Sequence, residues 1–350
     1  MKILVTGNMG YVGPVLYSQL RKDYPTAEIW GFDNGYFAHC LTNATYFPER
    51  RIDCQIFGDM RNFPYEILDG VDVLVHLGAI SNDPMGNKYE GVTEAINDRA
   101  SKAIARAAKQ HGVKVFIFAS SCSMYGEATG AARKETDSLN PLTAYARSKV
   151  AMEQQLQKLA DESFTVTALR FATACGMSPR LRLDLVVNDF VASAITSGNI
   201  TVLSDGTPWR PLVHVKDMSR AISWSIQRHK NIGGSFLSVN VGSDIWNYQV
   251  KDLANAVARL VPNTEVSINK NAQSDKRSYR VDFSLFRELA PEHQPLMTLE
   301  FTILELIDGL EAMKFTDANF RQSNYMRLKM LESHIQKGSL NVDLEWQFSR

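Results

Sequence analysis

Cysteine is scarce in this chain: four in 350 residues, at Cys40, Cys54, Cys122 and Cys175. They form no CxxC pair and keep no zinc-site spacing with histidine, so a disulfide framework and a metal centre are excluded and reduced thiols in a cytoplasmic setting are expected. Net charge is missing as well, with 38 basic residues against 38 acidic ones. No global field draws in nucleic acid or an anionic membrane, and any arginine that binds an anion must act locally. No apolar run approaches the roughly 20 residues of a membrane span, and "MKILVTG" is too short an apolar start for a signal peptide. Internal repeats and low-complexity segments are absent too.

What is present is an ordinary globular composition, 45% hydrophobic and 22% charged, enough for one large core or two smaller ones. In the first half, the runs Ile3 to Thr6, Ile29 to Phe32, Val71 to Leu77, Val113 to Ala119 and Phe164 to Thr173 are apolar without polar alternation. Such runs suit parallel strands covered on both faces. Between them Gly10 to Asp23, Tyr89 to Gln110 and Pro141 to Asp161 carry apolar residues at helical spacing. That alternation predicts an α/β fold, a doubly wound parallel sheet over residues 1–176. Beyond about Gly176 the elements shorten. Helices are expected at Leu185 to Ser197, Asp217 to Arg228, Val250 to Val261 and Thr302 to Lys314. Strands are expected on both sides of the Gly206 turn, at Phe236 to Val241 and at Val266 to Asn269. Residues 177–315 are therefore expected to form mainly a smaller α/β domain laid over the sheet, with parts of 211–242 completing that sheet. The tail, 316–350, is expected to hold one amphipathic helix near Tyr325 to Gln336.

The first strand leads into "TGNMGYVG", with Gly7, Gly10 and Gly13 between strand and helix. Glycines there permit a tight turn and let backbone N–H groups and the helix N-terminus approach a pyrophosphate. "GFDNG" ends the second strand with Asp33, close to the roughly 20-residue offset at which a carboxylate takes ribose hydroxyls. A carboxylate there repels a 2′-phosphate, which favours NAD over NADP. Asp59 in "FGDMRN" stands after a third apolar run, placed for an adenine amino group or for an ordinary surface turn.

Further on, "SSCSMYG" crowds three hydroxyls, a thiol and a phenol onto the end of a strand. In an open α/β sheet that end is where ligands sit. "YARSK" then sets Tyr145 and Lys149 on one helix face. An ammonium beside a phenol favours the phenolate, so the pair is expected to lower the tyrosine pKa and to let it exchange a proton with a substrate hydroxyl while hydride passes to or from NAD.

Taken with "HLGA", "RFATACG", "GTPWRPLVHVKD" and "DKRSYRVD", these motifs make residues 1 to 315 resemble the extended short-chain dehydrogenase/reductases of the NAD-dependent epimerase/dehydratase type, which act on nucleotide-diphosphate sugars. The resemblance implies a Rossmann sheet and NAD held by Gly7, Asn8, Met9, Gly10, Tyr11, Gly13, Asp33, Asp59, Met60, Leu77, Gly78, Ala79, Tyr145 and Lys149, with Asn97 bracing the site. It implies catalysis by Ser121, Tyr145 and Lys149, with Ser123 beside them, and a homodimer. It places Ser81, Ser121, Ser123, Thr173, Arg180, Arg182, Arg210 and Arg277 around the substrate, the arginines to hold its diphosphate. His214 reads as a packed strand residue.

Two departures matter. The family's sugar 4,6-dehydratases carry acidic residues just after the serine, where this chain has Cys122 and Ser123, so dehydration is not expected. The family's "NxYG" reads "TACG" here, with Thr173 for the asparagine, which leaves the sugar undefined. The leading expectation is an epimerase working through a transient ketone. A ketoreductase of a 4-keto-6-deoxy sugar is the close rival, and a dinucleotide sensor without turnover is a third reading.

Overall fold

The computed structural model describes residues 1–42, 46–128, 130–269, 271–272 and 278–347. In chain order its first half runs β1 (Lys2–Thr6), α1 (Gly13–Asp23), β2 (Glu28–Asp33), β3 (Cys54–Phe57), β4 (Val73–His76), α2 (Asp83–Lys88), α3 (Glu90–Thr93), α4 (Ser101–Gln110), β5 (Val115–Ser121), α5 (Ala144–Leu159) and β6 (Thr165–Phe171). The second half adds β7 (Thr173–Cys175), α6 (Val186–Ser197), β8 (Asn199–Val202), β9 (Trp209–His214), α7 (Val215–Gln227), β10 (Phe236–Val241), β11 (Asn247–Gln249), α8 (Val250–Leu260), β12 (Glu265–Ile268), α9 (Ser284–Leu289), α10 (Leu299–Ala312) and α11 (Arg327–Gln336).

Among the described residues the main sheet has seven parallel strands in the order β10-β6-β5-β4-β1-β2-β3. Its inner strands β1, β4 and β6 are buried on both faces, which is why they read as unbroken apolar runs. One face packs on α1 and α7 through Leu16, Tyr17, Leu20, Ala221 and Ile222. The other packs on α4 and α5 through Ile104, Ala108, Met152 and Leu156. The strand order reverses between β1 and β4, so the connections leaving those neighbours diverge and open a crevice at their carboxyl ends.

Three sequence readings change in the structure. The helix expected over Tyr89 to Gln110 is interrupted by a π-helical stretch, Glu94–Ala100, between α3 and α4. A widened turn keeps the apolar stripe while rotating one residue, and this one carries Asn97. The strand expected over Phe164 to Thr173 ends at Phe171, and Thr173–Cys175 leaves to pair with Leu212–His214 in a separate three-stranded sheet. Within 211–242, β10 completes the main sheet while β9 belongs to that smaller one, beside β11. A second core, formed by Phe190, Val191, Leu253, Val257, Ile303 and Leu306 of α6, α8 and α10, lies under these segments. The tail helix forms where its pattern predicts. It docks Leu331 of α11, with Leu340 and Leu344 beyond it, onto Tyr36, Ile80, Met85 and Ile96 of the first half.

Candidate active site

At the crevice lies a cleft of about 550 Å³, lined from the anticipated cofactor residues by Gly7, Gly10, Tyr11, Asp33, Asp59, Met60, Leu77, Gly78 and Ala79. The turns leaving β1 and β4 touch. Gly7 has φ 69°, and a Cβ on it would stand 2.5 Å from Gly78 Cα, so a side chain there would displace backbone. Three of the anticipated residues build the cradle from behind instead of lining it. A Cβ on Gly13 would sit 1.9 Å from the Asn8 carbonyl oxygen, Asn8 Nδ2 donates to Gln55 Oε1 at 2.6 Å, and the Met9 N–H donates to Asp33 Oδ2 at 3.0 Å. Asp33 also accepts from the Gly35 N–H at 2.7 Å. Burial pushes its carboxyl up while these two backbone donors and Arg180 pull it down. Asp59 is held by Arg61 at 2.5 Å and caps the turn that follows it. Asn97 stands behind the wall, where it accepts from the Ile80 N–H at 2.8 Å and returns a hydrogen bond to the Ile80 carbonyl at 3.0 Å.

The serine-rich mouth of β5 divides by direction. Ser120, Ser121 and Ser123 reach the cleft. Ser121 Oγ donates to Ser123 Oγ at 2.9 Å and accepts from the Ser123 N–H at 3.1 Å. Cys122 and Tyr125 turn into the core, the thiol to the Arg170 carbonyl at 3.0 Å and the phenol to Asn240 Oδ1 at 2.8 Å. Burial pushes the Cys122 thiol up, so it supplies neither acid nor base. Behind them a buried network joins Ser120, Glu153 and Arg170.

Tyr145 stands in the first turn of α5, whose start is fixed by Thr143, accepting from the Ala146 N–H at 3.2 Å and donating to Asp83 at 2.7 Å. Its phenol is turned toward Ser121, whose hydroxyl favours the charged form. One helical turn on, Lys149 Nζ lies 5.4 Å from the Tyr145 ring centre, and all three residues line the cleft. The electrostatics differ from the sequence expectation that the ammonium lowers the phenol. Burial pushes Tyr145 up to about 12, against the weaker pull of the Ser121 hydroxyl. Burial likewise pushes Lys149 down to about 7, with Glu153 opposing. In this pocket desolvation outweighs the Coulomb attraction on which that expectation rested.

Of the residues anticipated around a substrate, Ser81, Ser121, Ser123, Thr173 and Arg182 line the cleft. Arg182 is buried, paired with Asp184 at 2.9 Å, and donates to Ser81 Oγ at 3.3 Å. Arg180 does not reach the cleft: its fully buried side chain pairs with Glu49 at 2.5 Å. Arg210, half-buried on β9, donates to the Trp209 carbonyl at 2.9 Å and lies outside the lining, close enough to Tyr279 for its charge to oppose the upward push of burial on that phenol. Arg277 lies outside the described residues. His214 is packed in the core, its Nε2 2.9 Å from Glu305 Oε2. Asn82, Asp83, Asp184, Tyr279 and Arg327 line the cleft without having been anticipated. For Asn82 and Asp83 a signal existed, since "SNDP" follows a strand as "SSCSMYG" does. For Arg327, in the tail, there was none. Among the described residues no group of three or more His, Cys, Asp and Glu side chains is placed to hold a metal ion, and no helix is long and apolar enough to cross a membrane.

The profile of the NAD dependent epimerase/dehydratase family matches residues 3–242. An uncharacterized UDP-glucose epimerase of Bacillus subtilis, YtcB, is 31% identical over 255 residues, covering 69% of this chain and 77% of its own length. The UDP-glucose 4-epimerase of Lacticaseibacillus casei is 26% identical, covering 69% and 76%. Among solved structures, the UDP-glucose-4-epimerase of Stenotrophomonas maltophila, with bound NAD and formylated UDP-arabinopyranose, superimposes with a TM-score of 0.77 over 90% of this chain and 99% of that one, at 21% identity. At that identity the likeness bears on the fold.

Proposed function

Since the chain belongs to the NAD dependent epimerase/dehydratase family, we propose that it is an epimerase of a nucleotide-diphosphate sugar, acting through a transient keto sugar. The observation that carries this reading is that Tyr145, Ser121 and Lys149 converge on one cleft, at the strand mouth adjoining the glycine cradle. The cradle fits a dinucleotide, because side chains at Gly7 or Gly78 would collide with what surrounds them and Asp33 offers carboxylate oxygens at the end of β2. NAD, when bound, supplies reversible acceptance of a hydride. The chain's own groups handle the proton. As the phenolate, a form that the positive ring of bound NAD would favour, Tyr145 takes it from the sugar hydroxyl as that carbon is oxidised and gives it back on the return, while Ser121 and Ser123 orient the oxygen. Lys149, protonated or neutral near pH 7, sets the charge around the phenol. Cys122 and Ser123 provide no carboxyl for removing water, which favours epimerisation over dehydration. Arg182, anchored by Asp184, presents its guanidinium to an anionic part of a ligand.

UDP sugars are the first to test, given what the relatives' names say they act on. The four cysteines, unpaired in the structure, support a reducing, cytoplasmic setting, and a homodimer belongs to the same proposal. A ketoreductase would use the same dyad, so the deciding experiment follows the hydride. With a UDP sugar carrying deuterium at the reacting carbon, product should retain the label with no cofactor added and no NADH consumed. Stoichiometric loss of NADH absorbance with a 4-keto sugar, and no conversion without it, would transfer the assignment to the reductase.

A further inference from the structure

Arg327 opens α11, beyond the segment matched by the family, yet it lines the cleft and is only 1% exposed. Its Nη2 donates to the Arg180 carbonyl at 2.8 Å, and its guanidinium carbon lies 4.6 Å from the Phe37 ring centre. Nη1 is buried and has no hydrogen-bond partner. The neighbouring Arg180 and Arg182 each have a carboxylate, Glu49 and Asp184. Among the described residues no carboxylate lies within ion-pair distance of Arg327. Burial holds its pKa down to about 10. A buried guanidinium with no carboxylate in ion-pair reach is costly, and an anion bound in the cleft that Arg327 lines would offset that cost by giving Nη1 a partner.

The chain beyond Arg327 then runs behind the cofactor half of the same cleft, tied to its wall without lining it. His334 Nε2 lies 3.0 Å from the Tyr36 carbonyl oxygen, and the Tyr36 hydroxyl donates to the Leu344 carbonyl. Trp346 Nε1 donates to the Asn34 carbonyl at 2.7 Å. Arg61, which grips Asp59, also donates to the Asp343 carbonyl at 2.7 Å. Asn34, Tyr36 and Asp59 are cleft residues at the ends of β2 and β3, next to Asp33. Every one of these anchors lies on the side read as the dinucleotide's, not around Thr173.

We propose that segment 327–346 straps the wall of the dinucleotide site from outside, holding the Asn34–Tyr36 turn in place, and that Arg327 at its start gives its unpartnered guanidinium nitrogen to a phosphate oxygen of the cofactor. The inference rests on reading the cleft as the NAD site. A strapped cofactor is released slowly, as suits an enzyme that returns its hydride to the same substrate.

The test is made on the full chain and needs no turnover, so it stands apart from the choice between epimerase and reductase. Binding of ADP-ribose and of adenosine is measured by calorimetry on protein freed of nucleotide, and NAD release by stopped flow. Arg327→Met should weaken ADP-ribose at least tenfold, change adenosine less than twofold and speed NAD release at least tenfold, the scale of one charged contact to phosphate. It removes an unpaired buried charge, so the nucleotide-free variant should melt no lower than the native protein. Should it fail to fold, Trp346→Ala carries the test through a severalfold faster NAD release. Unchanged ADP-ribose affinity and NAD release in the folded variants would overturn the strap. Loss of UDP binding to the NAD-loaded protein by Arg327→Met, with ADP-ribose unaffected, would overturn it too and give the guanidinium to the substrate.

Discussion

Lys149 Nζ donates to the Ala119 carbonyl oxygen at 2.6 Å, which ties the helix carrying Tyr145 to the strand that ends in Ser121. The same bond holds an ammonium where almost no water reaches it, 4% exposed, with Phe118 and Tyr145 rings nearby and Glu153 the acidic group that favours its charge. Its pKa of about 7 lies below the roughly 10.4 of an unfolded lysine. Between those values the unfolded chain holds a proton that the folded chain has shed, so this group makes the protein more stable as pH rises from about 7 to 10. The contribution is at most about 1.4 kcal/mol per pH unit. Denaturant melts of nucleotide-free protein across that range should show the rise, and Lys149→Met should flatten it. A slope identical in the variant would refute the assignment.

Tyr145→Phe removes one oxygen from a half-buried ring whose neighbours stay in place. Turnover should fall by about two orders of magnitude or more, the scale of lost acid-base catalysis, while NAD affinity and melting temperature hold. Steady-state rates beside calorimetric NAD binding check both halves. Full activity in the variant would remove Tyr145 from the mechanism.

Asp33 is already held by two backbone donors, so its carboxylate is fixed in position before any ligand arrives. NAD should therefore bind at least tenfold more tightly than NADP, about 1.4 kcal/mol. Asp33→Asn keeps the shape and deletes the charge. It should narrow that ratio to a few-fold, mainly by improving NADP, as titration of each cofactor would reveal.

Gly13 is a packing requirement, outside the lining of the cleft. Because a Cβ there would fall 1.9 Å from the Asn8 carbonyl oxygen, α1 would have to shift off the first turn. Gly13→Ala should cost about 1–3 kcal/mol of stability, the range of overpacked sites, and weaken NAD binding with it. Unaltered melting would show that the turn is softer than this contact implies.

Local pattern alone carried strands β1, β2, β4, β5 and β6, helices α1 and α5, the glycine turn after β1, and the facing of Tyr145 and Lys149, because each depends on residues a few positions apart in a regular element. What depended on distant segments was decided by the tertiary structure. Arg180 and Arg182 stand two apart in one loop with the same chemistry, and nothing local says that Arg180 turns to Glu49, 131 residues away in sequence, while Arg182 faces the cleft. The spacing of Tyr145 and Lys149 indicated attraction, but only the packed pocket, by excluding water, makes desolvation the larger effect on both. The tail likewise announced a helix and no destination. Its apolar residues Leu331, Leu340 and Leu344 fit a patch assembled from Tyr36, Ile80, Met85 and Ile96, and its polar ties end on main-chain carbonyls that are the same at every residue, so where α11 and the chain after it come to rest depends on segments far away in sequence.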